Sequence, residues 1–146
     1  MRKIKILWPG KTRNRNLAEG IDYYLKLLAP MTRVSVVEVR EERGRSAEAS
    51  REAESVRLLK QADAYYLLDE RGRQLTSEGF ARFLKEREAV EFVVGGAFGV
   101  SDEVRRGAKG VIALSMMTLT HEMARLLFLE QLYRAFTIIK GKEYHH

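Results

Sequence analysis

The chain has 146 residues, 45% hydrophobic and 32% charged, with no cysteine; this composition suits a single globular domain and excludes disulfides, thiolate zinc sites and cysteine nucleophiles. Lys and Arg number 26 against 20 Asp and Glu, a formal charge of +6 that admits a polyanionic partner without requiring one. No metal is expected, because His121, His145 and His146 are the only histidines and none forms the i, i+4 helical pair of zinc hydrolases.

Apolar runs alternate with amphipathic stretches from end to end, the trace that βαβ units leave and the basis for expecting one α/β domain with a mostly parallel sheet. Met1-Arg2-Lys3 leads into a strand-like segment with no apolar signal region, and no run of about 18 apolar residues is present, so a cytoplasmic, membrane-free protein is expected. The first strand spans Lys3 to Trp8, stopped by Pro9-Gly10. A helix follows over Leu17 to Ala29, with Leu17, Ile21, Tyr24, Leu25 and Leu28 on one side and Pro30 at its end. Val34 to Val39 is β-branched and reads as a strand. Glu48 to Ala62 reads as a charged helix with a stripe of Ala49, Ala53, Val56 and Leu59. Ala64 to Leu68 is the third strand, Asp69 to Gly72 a turn, and Ser77 the expected cap of a helix reaching about Glu88.

The stretch from Glu91 to Val104, EFVVGGAFGVSDEV, ends a fourth strand in two glycines and opens a short helix at its cap Ser101. It is not a phosphate loop. Gly99 is followed by Val100-Ser101-Asp102-Glu103, without the Lys-Ser/Thr pair such a loop needs, and those carboxylates repel phosphate. The order Gly95-Gly96-Ala97-Phe98-Gly99 also misses the dinucleotide fingerprint, which leaves an ordinary tight turn or a site of another kind. Gly110 to Leu114 is the fifth strand. Thr120 caps a last helix that runs to about Ile139, before Gly141.

That last helix carries Met123, Leu126, Leu127, Phe128, Leu129, Leu132, Tyr133 and Phe136 all round its wheel. A helix with no wide polar face must be covered on both sides. One side can meet the sheet. The other is expected to meet a second copy of the chain, giving a homodimer, unless the domain wraps the helix by itself.

Four segments stand in register: Leu68-Asp69-Glu70-Arg71-Gly72; Val94 to Gly99; Leu114-Ser115-Met116-Met117-Thr118-Leu119-Thr120-His121; and Glu130 to Phe136 with Gly141-Lys142-Glu143-Tyr144-His145. In this order and spacing the chain resembles, along essentially its whole length, the ribosomal large-subunit methyltransferase H family of SPOUT enzymes. The resemblance implies a single SPOUT domain over residues 1–146 with a C-terminal trefoil knot, an exception to the rule against threaded chains. It implies S-adenosylmethionine as cofactor, lined by Leu68, Gly95, Gly96, Leu114, Ser115, Met116, Met117, Thr118 and Leu119. It also implies methylation of N3 of a pseudouridine in 23S rRNA on the assembled ribosome.

An adenine suits a slot of aliphatic side chains with backbone groups at its rim, and a sulfonium tolerates Asp69 and Glu70 better than a phosphate would. The bare backbone of Gly95 and Gly96 would let such a ligand lie close. Core packing is the other reading of Met116-Met117. His121 and His145 are candidate acceptors for the N3 proton, or else capping or RNA-contacting histidines. Arg13, Arg15, Arg43, Arg134 and Lys142 are candidate phosphate contacts, and Tyr144 a stacking platform for a splayed base, with the dimer partner supplying part of the RNA surface. A turn reading Ala97-Phe98, Thr120 at the cap and a terminal His146 depart from the family pattern. Two rival readings keep the basic surface or the glycine turn without the chemistry: a non-catalytic ribosome-binding or assembly factor, and a nucleotide-binding regulatory module with an open sheet.

Overall fold

Five strands and five helices alternate strictly in the computed structural model, which describes residues Met1–His146. The strands are β1 (Lys3–Pro9), β2 (Arg33–Val39), β3 (Tyr65–Gln74), β4 (Ala89–Val94) and β5 (Gly110–Ala113). The helices are α1 (Arg15–Leu28), α2 (Ala47–Gln61), α3 (Ser77–Lys85), α4 (Asp102–Gly107) and α5 (His121–Ile139). The sheet is parallel throughout in the order β2-β1-β4-β3-β5.

A parallel sheet is covered on both faces, and period-two alternation divides each strand between them. Ile4, Ile6 and Trp8 of β1 enter one core with α1, α3 and α5, whereas Leu7 enters a smaller core that includes Leu58 of α2 and Val104 of α4. The larger core centres on Phe92 of β4 and Phe128 of α5, packed edge to face with centroids 4.8 Å apart.

The caps explain where helices start. Asn14 Oδ1 accepts from the N–H groups of Asn16 and Leu17, so α1 begins two residues before the expected Leu17. Thr76, not Ser77, caps α3 by accepting from Gly79 N, and α3 ends at Lys85 rather than near Glu88. Ser77 Oγ instead donates to Gln131 of α5. Ser101 and Thr120 cap α4 and α5 as expected.

The expected turn at Asp69–Gly72 is not a turn between elements. β3 continues to Gln74, and Ile112 of β5 is the register partner of both Leu68 and Arg73, with the intervening residues carried past it. A Cβ on Gly72 would stand 2.7 Å from the carbonyl carbon and oxygen of Val111. Only a residue without a side chain permits that approach of two backbones.

Helix α5 is covered more fully by its own chain than its wheel suggested. It lies between α1 and α3, with Leu126 against Gly20 of α1, and Phe128, Leu129, Leu132 and Phe136 are buried within the chain. Met123 and Leu127 are what remain exposed, at 36% and 37%.

Candidate active site

In a parallel α/β sheet the loops after the strand C-termini are the natural place for a ligand. The ends of β3, β4 and β5 and the first turn of α5 enclose a cavity of about 620 Å³. Its wall is aliphatic at Leu67, Leu68, Val94, Val100, Leu114, Leu119 and Ala124, with Asp69, Glu70, Ser115, Thr118, Thr120 and His121 as the polar part. Gly95, Gly96, Ala97 and Gly99 form one side, closed by a Gly99 N–H to Gly96 carbonyl hydrogen bond of 3.1 Å, with Gly99 at φ +77°.

Eight of the nine residues expected to line a cofactor pocket meet here: Leu68, Gly95, Gly96, Leu114, Ser115, Met117, Thr118 and Leu119. Met116 does not; it points to solvent at 77% exposure. Met117 is 78% exposed at the cavity's edge, so neither methionine packs in the core. The bare faces of the two glycines serve the protein rather than a ligand. A Cβ on Gly96 would meet Glu54 Oε1 at 2.7 Å and Pro9 at 3.3 Å, and one on Gly95 would meet Gly99 and Val100 at 3.1 Å.

The acids at the rim are engaged. Asp69 accepts from Arg105 at 2.7 Å and from Arg71 N at 2.9 Å; burial pushes its carboxyl up, but these bonds outweigh it and hold the group below the ordinary value. Glu70 accepts from the Thr118 hydroxyl, tying the β3 extension to the loop after β5.

Of the two histidines, only His121 is at the cavity. Burial first, and then the Arg125 guanidinium one turn along α5, lower its pKa below the ordinary imidazole value, so it is neutral at pH 7. His145 stands at the other end of α5 with Arg134, about 20 Å away at 1.5 Å per residue over the thirteen residues from His121. Its Nε2 is 2.8 Å from Glu78 and its Nδ1 accepts from Arg134 at 3.0 Å. Within one chain the two do not converge.

The expected RNA contacts divide the same way. Arg13, whose backbone N–H meets Glu122 in the first turn of α5, shares Glu41 with Arg43, and Arg15 pairs with Glu19 at 3.4 Å, all through exposed arginine side chains whose ion pairs are weak and exchangeable. Arg134 binds Glu130 through two nitrogens and lies 4.9 Å over the Tyr144 ring. Tyr144 also contacts Tyr24 and Glu130 through its hydroxyl and Tyr133 edge to face, so its ring is not a free platform in this arrangement. Burial and those acidic neighbours raise its phenol pKa. Lys142 is exposed.

The sequence reading passed over Glu54, Glu122 and Arg125. Arg125 had a visible signal, since it falls on the same helical stripe as Phe128, Leu129 and Leu132 and so had to be buried.

The family model described as "Predicted SPOUT methyltransferase" matches residues 2–145. The chain belongs to the SPOUT methyltransferases. Among curated relatives of this SPOUT chain, proteins named "Ribosomal RNA large subunit methyltransferase H" are 42% identical in Thermodesulfovibrio yellowstonii, covering all of both chains. The like-named proteins are 45% identical in Geotalea daltonii and 46% in Geobacter metallireducens, each over 99% of both chains. The crystal structure of TrmJ from Z. mobilis ZM4 superposes with a TM-score of 0.52 at 17% identity, over 92% of this chain and 70% of that one, a likeness of fold.

SPOUT membership implies a methyl-donor cofactor. The cavity fits one: its volume lies in the range of small-molecule sites, and its wall combines aliphatic side chains with polar groups at the rim.

Proposed function

We propose that this SPOUT methyltransferase uses S-adenosylmethionine to methylate N3 of a pseudouridine in 23S rRNA of the large ribosomal subunit. It would act in the cytoplasm as a homodimer with a knotted C-terminal segment. The observation that carries the reading is the cavity at the ends of β3, β4 and β5, lined by eight of the nine residues that the family resemblance assigns to the methyl donor. Relatives bearing the methyltransferase name over their whole length support the substrate. The passage of residues 69–72 across β5, with Gly72 against Val111, supports the knot.

S-adenosylmethionine, when bound, supplies a methyl carbon made electrophilic by a sulfonium. The chain's own contribution is alignment and a place for a proton. Leu68, Leu114 and Leu119 offer a dry slot, and the backbone of the Gly95–Gly99 turn offers polar groups at its rim. N3 of the neutral base must lose a proton as the nitrogen takes the methyl group. His121, at the cavity and held neutral, would accept it. Arg13, Arg15 and Arg43 would hold phosphates near the same mouth.

The second copy has a specific reason. Arg134, Lys142, Tyr144 and His145 lie at the far end of α5, where one chain cannot bring them to its own cavity; a partner packed along exposed Tyr23, Met123 and Leu127 would present its own set. Leu127→Glu is expected to give a monomer in sedimentation, whereas Leu129 is buried within the chain and unsuited to this test. A wild-type monomer would refute the dimer.

The deciding experiment has two arms. Calorimetry should show S-adenosylmethionine binding to the pure protein, and mass spectrometry of rRNA should show a methylated pseudouridine lost with the gene and restored with this chain. Ribosome association without methyl incorporation would point to an assembly factor. A melting temperature raised by ATP or NAD but not by S-adenosylmethionine would point to a nucleotide-binding module.

A further inference from the structure

We propose that Glu122 and Arg125 are positioning residues that hold the loop between β1 and α1, and with it Arg13 and Arg15, at a set distance from the cavity wall. The inference rests on the rRNA methyltransferase reading and extends it to how the substrate backbone is registered against the methyl donor.

One turn of α5 has two working sides. His121 and Ala124 line the cavity, whereas Glu122 and Arg125 reach the end of β1 at Pro9 and the loop at residues 10–14, with Glu122 Oε2 also 3.8 Å from His121 Nε2. Glu122 accepts from Arg13 N at 3.1 Å with one oxygen and from Asn14 N at 2.9 Å with the other. Arg125 donates to the Pro9 carbonyl at 2.5 Å, the Gly10 carbonyl at 3.2 Å and the Thr12 hydroxyl at 3.0 Å. Two residues three apart on one helix thus bind five groups of a loop more than a hundred positions away in sequence.

Both residues reach beyond their own helix. Thr120 caps α5 by accepting from Met123 N, and the Glu122 carboxylate suits the positive end of the helix, but both of its oxygens are spent on loop amides. Arg125 is fully buried, has no carboxylate in ion-pair range, lies 4.8 Å over the Trp8 ring, and leaves its Nε without a partner. Its hydrogen bonds all go to neutral acceptors, and the carboxylates of Glu122, Glu38, Glu41 and Glu54 offset its burial only from beyond ion-pair distance. What the guanidinium does there is grip the loop.

A loop arginine contributes to a defined reaction geometry only if its backbone is fixed, since small misplacements of a substrate lower the rate steeply. The grip ties the phosphate-binding cations to the same turn that carries the proton acceptor. Glu122 therefore serves RNA binding although it is itself an anion.

The test compares Glu122→Ala and Glu122→Gln with the wild type in three readouts: S-adenosylmethionine affinity by calorimetry, KM and kcat on large ribosomal subunits across salt concentrations, and amide exchange at residues 13 and 14. Glu122→Ala should speed exchange at both amides, raise KM about tenfold, and lower the slope of log KM against log salt by about one to two as the loop arginines lose their place. Cofactor affinity should stay within about twofold because the cavity wall is intact. Glu122→Gln keeps one acceptor oxygen and should fall between. Faster exchange with an unchanged KM and salt slope would reduce the grip to a structural role, and unchanged exchange would refute it. A wild type that binds no methyl donor would overturn the parent reading instead, while the exchange readout would still report whether the grip exists.

Discussion

Gly72→Ala should be one of the most damaging single-methyl additions in this chain. The new Cβ would stand 2.7 Å from the carbonyl carbon and oxygen of Val111 and 2.8 Å from Ile112 N, where carbon contacts relax only near 3.5–4.0 Å. These are backbone atoms of β5, which cannot swing aside as a side chain can. Residues 69–74 would have to lift off, straining the pairs Arg73↔Ile112 and Gln74↔Ala113. Overpacking of this kind costs about 1–3 kcal/mol, and each weakened ladder bond adds about 1 kcal/mol. Reduced unfolded-state freedom returns about 0.4–1 kcal/mol, leaving a net loss of about 2–4.5 kcal/mol. At an m-value of about 2 kcal/mol/M, the urea midpoint should fall by about 1–2 M. Gly44→Ala is the control. Gly44 also resists substitution, at φ +75°, but meets no atom within 4 Å, so its loss should be conformational only, about 1–2 kcal/mol. Asp69 and Glu70 belong to the lifted segment, so methyl-donor affinity should drop in Gly72→Ala under conditions where the variant is still folded. A Gly72→Ala protein within about 0.5 kcal/mol of wild type, with unchanged affinity, would refute the close crossing.

Three further outcomes follow from the same site. Gly96→Ala should lose about 1–2 kcal/mol through contact with Glu54, and adding Glu54→Ala should relieve part of that loss, a coupling that a double-mutant cycle measures by urea unfolding. Burial raises the Glu54 pKa against the opposing hydrogen bond from Glu42 N, so the native state holds this proton more tightly than the unfolded chain. Its stabilising effect is full below the ordinary carboxylate value and is lost as pH rises through the native one. Glu54→Gln should therefore be more stable than wild type at pH 7, with the advantage fading toward pH 4 in parallel melts. His121 shifts the opposite way from an imidazole that gains an acidic partner: its lowered pKa keeps the neutral form, and the stability tied to it, until pH falls below the ordinary imidazole value. The acid limb of kcat/KM for methyl transfer should accordingly have a midpoint below 6.5, and His121→Ala should remove that limb.

The alternation of strands and helices was legible because each apolar run is short, β-branched and bounded by Gly, Pro or a capping residue, so local chemistry and the final layers agree. The caps Ser101 and Thr120 were legible for the same reason. Asp69–Gly72 misled because Asp and Gly signal a turn whether the chain reverses or, as here, passes across another strand; only the partner strand, forty residues later, distinguishes the two. The wheel of α5 misled in a related way. Residues all round a helix require cover on every side, but periodicity cannot say whether the cover comes from α1 and α3 or from another chain, and here most of it is internal. The cavity residues were reached by resemblance rather than by pattern, since Leu114 to Leu119 has no spacing that implies a ligand. Arg125 is the instructive omission. A charged residue on the core stripe of a helix signals that something polar must meet it, and the acceptors it meets belong to the loop that carries Arg13. Such a residue poses a question about its partner instead of leaving a gap in the apolar pattern, and the partner joins the cavity to the basic loop.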